Sequence, residues 1–261
     1  MVTPSYIEAR IRRSPPKGAC VVPGSTPVLA FGDARTAHVA TLGLNPSRLE
    51  FTNKGGVLLE GSERRLATHA SLGLSDLTTA PWTVVSQVLD DCNHYFQRKP
   101  YRGWFDKFKP ILAACGASYY DGSACHLDLV QWATNPIWSK LPTSARKKLI
   151  AEDTAFLVDQ LQNEKIRLLL VNGASAWMQL KSATIGKLNI EHEKTICGHS
   201  YQSCRLYSGR LFSKVCVVAW STNLQSSRGV KASLPDELGR LAADLYAPSA
   251  HKLTRLCGKS D

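Results

Sequence analysis

The stretch IRLLLVNG, residues 166–173, is an almost pure apolar run that stops at Asn172-Gly173 and gives way at once to the helical pattern ASAWMQLK. An apolar run without alternation suits a strand buried on both faces, as in the centre of a parallel sheet. The same strand, loop and helix step recurs on either side of it. HVATLGL (38–44) is a short apolar run ending in Asn45-Pro46-Ser47, where proline breaks the ladder. SACHLDLVQWA (123–133) alternates like a strand and runs into Thr134-Asn135-Pro136, and KVCVVAW (214–220) gives a last strand before the polar loop STNLQSSRG.

Helical spacing fills the intervals. SARKKLIAEDTAFLVDQLQNE, between Thr143 and Glu164, puts Leu149, Phe156, Leu157 and Leu161 on or near one face, and PDELGRLAADLY starts with a proline in its first turn. The segment 83–115 holds two more helix-like stretches, VVSQVLDDCNHYF and WFDKFKPILAACG, joined by the basic, aromatic link QRKPYRGW. Alternating strands and helices predict an α/β fold, a three-layer sandwich around a mainly parallel sheet. Residues 1–36 mix basic residues with Pro and Gly and show little periodicity, so they are expected to form an arm on the surface. Residues 37–247 are expected to form one domain and 248–261 a tail; no internal repeat is present.

The composition narrows the classes of function. The 261 residues carry 32 Lys+Arg against 21 Asp+Glu, a net charge of +11, which favours a polyanionic partner. The start of the chain lacks the apolar run of a signal peptide and no segment approaches the roughly 20 apolar residues that span a bilayer, so a soluble, cytoplasmic protein without membrane or obligate protein partner is expected. Eight cysteines, at 20, 92, 115, 125, 197, 204, 216 and 257, include no Cys-x-x-Cys pair and read as free thiols. The tightest group, Cys197, His199 and Cys204 after His192, reads as ordinary loop and core residues rather than a metal site. A Rossmann-type nucleotide enzyme is disfavoured, because no Gly-x-Gly-x-x-Gly follows the first strand and no Walker sequence occurs.

In a parallel sheet the four polar loops GLNPS (43–47), HLDLVQWATNP (126–136), VNGAS (171–175) and WSTNLQSSRG (220–229) converge beyond the carboxyl ends of the strands, where such sheets bind ligands. Their order and content resemble the uracil-DNA glycosylase superfamily, in the branches whose first motif reads Gly-x-Asn-Pro-Gly and whose second is a Ser/Pro-rich loop after the last strand. Gly43-Leu44-Asn45-Pro46 matches the first motif, with Ser47 in place of its final glycine, and STNLQSS stands where the second loop belongs. The resemblance covers roughly residues 38–245, weakly in the middle, and implies a uracil-DNA glycosylase-like fold.

It also implies roles. Asn45 would hold the attacking water. Leu224 would fill the stack vacated by a flipped nucleotide, as apolar wedges do. Many members begin the second loop with a histidine that steadies the departing base; Trp220-Ser221-Thr222-Asn223 stands there instead, leaving Asn223 or Ser221 as an uncharged donor. Ser221, Gln225, Arg228 beside the wedge and Arg48 after the water-binding turn are the expected DNA contacts, among other basic residues near the loops (Lys54, Arg64, Arg65, Arg98, Lys99, Arg102). Phe51 is the expected stacking platform, with Tyr101, Trp104, Trp132 and Trp138 as the other rings available. No metal or other cofactor and no lysine nucleophile is required.

One position departs from the family in chemistry. Where the family reads uracil with a strand-end asparagine, alignment of the strand ends puts Asp128. A carboxylate only accepts, so it suits an exocyclic amine and repels a carbonyl. The base is therefore expected to be cytosine-like. Removing ordinary cytosine would destroy the host genome, so the substrate is expected to carry a mark the host lacks, such as the 5-hydroxymethyl or glucosylated cytosine of some phage DNA, with the small Ser47 leaving room for the substituent. That reading points to antiviral defence; the alternatives are uracil or mismatch repair, and a non-catalytic nucleic-acid-binding protein on the same fold.

Overall fold

The computed structural model of the chain describes residues 4–184, 186–196, 203–225 and 230–257. In chain order the elements are α1 (Ser5–Arg12), β1 (Val39–Gly43), α2 (His69–Leu72), α3 (Trp82–Asn93), α4 (Arg102–Phe105), α5 (Lys109–Ala114), β2 (Ala124–Asp128), α6 (Thr143–Asn163), β3 (Leu168–Asn172), α7 (Ala174–Ala183), β4 (Leu188–Ile196), β5 (Cys204–Leu211), β6 (Val215–Trp220) and α8 (Leu234–Cys257). The strands form one six-stranded sheet in the order β2-β1-β3-β6-β5-β4, flanked by helices.

The expected strands are present, and every residue of β1, β2, β3 and β6 is buried, as apolar runs in the middle of an α/β fold should be. β1 pairs with β3 in parallel (Val39 with Leu168 through Leu42 with Val171), and β3 with β6 in parallel (Leu168 with Cys216 through Asn172 with Trp220). The sheet is nevertheless mixed. β5 runs antiparallel to β6 and β4 antiparallel to β5, a hairpin absent from the expected elements. β4 is exposed along almost its whole length, and its sequence LNIEHEKTI carries apolar residues only at Leu188, Ile190 and Ile196, too broken an alternation to mark it as a strand.

The chain divides into two compact units. The first comprises Met1–Thr36, Gly43–Tyr101 and Cys125–Glu164, and the second Ala37–Leu42, Arg102–Ala124 and Lys165–Asp261. In the first, α6 buries Leu149, Phe156, Leu157 and Leu161 as its spacing predicts, each such side chain contributing about 1.5–3 kcal/mol. The expectation of a surface arm over 1–36 is corrected. α1 buries Ile7, Arg10 and Ile11 and packs against α3 and α6. The chain after it runs antiparallel beside residues 126–135, with Val22 N–H bonded to Ala133 O, Val28 N–H to Gln131 O, and Phe31 and His126 exchanging both backbone bonds.

In the second unit, α5 and α8 approach closely, because Gly239 leaves space where a Cβ would lie 3.0 Å from Ala114 Cβ and Ile111 Cα. Asp236 and Glu237 in the first turn of α8 complement the positive end of its dipole.

Candidate functional site

In the first unit the turn after β1 is fastened to the chain leaving β2: Gly43 O accepts from Leu129 N (3.3 Å) and Leu44 O from Val130 N (3.0 Å). Asn45 follows, half-buried, with Nδ2 lying 3.1 Å from Pro46 O, 3.2 Å from Trp132 O and 3.1 Å from Thr134 Oγ1. Three acceptors around the amide nitrogen settle which end of the side chain is which, leaving Oδ1 as the end that accepts from a water. An amide is not a useful base; it can orient a bound water but cannot deprotonate it.

Asp128, the last residue of β2, is 4% exposed. Its Oδ1 lies 3.4 Å from Nε2 of His126, which is on the same strand face by the two-residue period, while Oδ2 is buried with no hydrogen-bond partner among the described residues. A buried acceptor left unmade costs about 1–3 kcal/mol, more when charged, so this oxygen calls for a donor. Gly43 completes the cradle. A Cβ there would lie 2.6 Å from Asp128 Oδ1 and 3.0 Å from His126 Nε2, so any larger residue would press on both side chains.

A second carboxyl belongs to the same neighbourhood. Glu50, in a 3-10 turn over Arg48–Glu50, is buried, accepts from Tyr95 Oη at 2.6 Å and lies 3.6 Å from Arg65 Nη1. Burial pushes its pKa up to about 7, and the charge of Asp128 adds to the rise, against the Tyr95 hydrogen bond and the Arg65 charge. Burial likewise pushes the Tyr95 hydroxyl well above its ordinary value. Sequence reasoning missed Glu50, Tyr95 and His126. Only His126 carried a usable signal, its place two residues before Asp128.

In the second unit the loop after β6 is organised by Asn172 at the end of β3. Asn172 Oδ1 accepts from Trp220 Nε1 (3.0 Å) and Leu224 N (3.1 Å), while Nδ2 donates to Asn223 Oδ1 (3.1 Å) and Gln225 Oε1 (2.5 Å). Asn223 Oδ1 also accepts from Gln225 N (3.0 Å), so Nδ2 is the donor end of this exposed residue. Ser221 Oγ accepts from Arg205 N (2.9 Å), and Gln225 Nε2 donates to Trp104 O (3.4 Å). The sequence marks Asn172 only as a strand end; in the structure it is the loop's scaffold.

Two expected roles, those of Leu224 and Phe51, require correction, and the other expected residues take the following contacts. Leu224 is 3% exposed, so it is a packed residue rather than an exposed wedge; Asn172 draws its backbone inward although its sequence neighbours are polar. Phe51 is fully buried and serves the core, so it presents no face for stacking a base. Ser47 Oγ caps the 3-10 turn by accepting from Leu49 N (3.2 Å). Arg48 folds back on its own loop, both terminal nitrogens lying 3.3 Å from the carbonyls of Asn53 and Lys54. Of the other basic residues, Arg64 pairs with Asp91, Arg98 with Asp90 and Asp91, and Lys99 with Glu63, while Arg102 stacks over Tyr120. Trp132 is a core residue, Tyr101 lies under Arg65, and Trp104 packs edge-on against Phe105. Trp138 packs against the cluster around Trp132.

Arg228, Cys197 and His199 lie outside the described residues. Among the described residues no group of His, Cys, Asp and Glu is placed to hold a metal, and no helix is long and apolar enough to cross a membrane. Compared with known proteins, the sequence matches no protein-family model and no curated relative.

Proposed function

We propose that the chain is a monofunctional DNA glycosylase of the uracil-DNA glycosylase type. It extrudes a nucleotide from the duplex and hydrolyses the bond between its base and sugar, leaving an abasic site. Its base is a cytosine carrying a bulky 5-substituent, such as the glucosylated hydroxymethylcytosine of phage DNA, and its role is antiviral defence. The observation that carries the reading is the Asp128 carboxylate, buried at a strand end with Oδ2 unpartnered among the described residues and cradled by the motif glycine Gly43. Acidic side chains accept from the exocyclic amine of cytosine, and a buried acceptor with nothing to bind is a cost that such an amine removes.

The chemistry follows from the residues around it. The bond from C1′ to the base breaks with its electron pair passing to the base, and an oxocarbenium-like sugar forms. A water held on Asn45 Oδ1 then adds its oxygen to C1′ and gives up a proton to solvent, balancing the proton that the departing base takes up. The three acceptors on Asn45 Nδ2 hold the amide in the one orientation that serves this step. The exposed Nδ2 of Asn223 is the donor this reading assigns to the DNA. The net charge of +11 supports a polyanionic substrate.

Mass spectrometry of the bases released from uracil-containing, unmodified and glucosylated duplexes tests the reading. We expect release from the modified DNA, and its loss in Asn45→Ala with duplex affinity retained. Binding to DNA without release from any duplex would instead make the chain a non-catalytic binding module.

A further inference from the structure

We propose that the N-terminal helix is a working part of the site in the first unit, and that Arg10 is its positioning residue, holding the segment 128–134 against which Asp128 and Asn45 are oriented. The inference rests on the proposed function for its catalytic consequence. Its structural content stands alone.

Arg10 has a side chain only 1% exposed on a short helix near the start of the chain. Its Nε donates to Gln131 Oε1 at 3.0 Å, its Nη2 lies 3.1 Å from Asp153 Oδ1, and its guanidinium carbon sits 5.0 Å from the centre of the Trp132 ring. Each contact leads on to a proposed functional group. Gln131, fully buried, passes its Nε2 to the carbonyl of Asp128 (2.9 Å), and its backbone N–H to Asp153 Oδ2 (3.0 Å). Trp132 and Thr134 supply two of the three oxygens that fix the Asn45 amide. One guanidinium thus braces the chain supporting both residues.

Fold stability alone does not call for this arrangement. Burying an ion pair costs about as much as it returns, and packed apolar residues of similar volume often do as well or better. Among the described residues Nη1 and Nη2 lack hydrogen-bond partners of good geometry, which makes this guanidinium costlier still. What an arginine supplies that an aliphatic residue cannot is a donor and a charge in one rigid plane, with Nε bonded to Gln131 and Nη2 paired in charge with Asp153. A displacement of about 1 Å in a catalytic group can lower a rate by about 100-fold.

Arg10→Met tests the idea in the full chain, because Asp153 keeps Arg13 at 2.7 Å and the Gln131 N–H, and so is not left unpaired. Three readouts are compared with the unaltered chain: the 1H–15N signals and hydrogen exchange of the Asn45 side-chain amide, duplex affinity, and single-turnover base release. We expect shifted Asn45 signals with faster exchange, and duplex affinity within about 2-fold, since no phosphate contact is lost. We also expect release slowed by about 100-fold and partly restored in Arg10→Lys. A folded Arg10→Met chain with unchanged Asn45 signals and unchanged release would overturn the proposal. If Arg10→Met does not fold, Gln131→Met carries the same test, because it cuts the link to Asp128 and leaves Arg10 with Asp153. Failure of the unaltered chain to release any base would refute the glycosylase reading, while the Asn45 signals would still decide the role of Arg10.

Discussion

Gly43→Ala is the smallest change that reaches the proposed base-reading group. The added methyl would lie 2.6 Å from Asp128 Oδ1, 3.0 Å from His126 Nε2 and 3.2 Å from His126 Cε1. Carbon and oxygen prefer a separation nearer ~3.5 Å, so the carboxylate has to retreat by close to an ångström, and at 4% exposure it has little room to do so. The left-handed backbone region is not involved, so the penalty is one of space. Overpacking of this kind costs about 1–3 kcal/mol, and an ångström of misplacement in a reading group can lower a rate by about 100-fold. Denaturant unfolding and single-turnover release, measured on the same preparation, separate the two effects. We expect a folded protein, destabilised within that range, whose release is slowed far more than its duplex binding. Unchanged stability together with unchanged release would refute the claim that Gly43 is the wall of the site.

Two further outcomes follow from the same neighbourhood and from the second loop. Glu50 takes up a proton near pH 7 in the folded chain and near 4.5 when unfolded, so folding favours its protonated form; the stability this group contributes is complete below pH 4.5 and is lost as pH rises through 7, by about 3 kcal/mol in all. Glu50→Gln, which can still accept from Tyr95, should flatten that part of the stability profile between about pH 5 and pH 8; an identical profile would contradict the buried-acid assignment. Leu224→Ala should lower stability by about 2–5 kcal/mol, as for a core leucine, and alter release from single- and double-stranded DNA alike. A loss confined to duplex DNA, with stability intact, would restore the wedge role.

What the sequence disclosed follows the physics of each element. β1, β3 and β6 were legible because strands buried on both faces must be apolar throughout, and α6 because a helix covering a sheet repeats its apolar residues at helical spacing. β4 was not, since an exposed edge strand is under no such constraint. α1 escaped notice because one of its three buried positions is Arg10, whose charge reads as surface until Asp153 and Gln131 are seen around it. Asn45 and Asp128 could be named from a motif and a strand end. Glu50, Tyr95 and Asn172 could not, because their importance lies in contacts with residues 45, 45 and 51 positions away. Leu224 was misread for a similar reason: whether a leucine among polar neighbours is exposed depends on where the backbone is drawn, and Asn172 draws it inward.

The central claim is that Asp128 selects a base presenting an amine, and Asp128→Asn tests it most directly when both proteins are incubated with glucosylated hydroxymethylcytosine DNA and with uracil DNA. A site built to accept a hydrogen bond discriminates against an analogue lacking the donor by roughly 10,000-fold, so the unaltered chain should release the modified cytosine and leave uracil in place. The side-chain amide that Asp128→Asn introduces can donate to a carbonyl as the carboxylate cannot, and should confer release of uracil on the variant. Robust release of uracil by the unaltered chain, with the modified DNA untouched, would contradict the account.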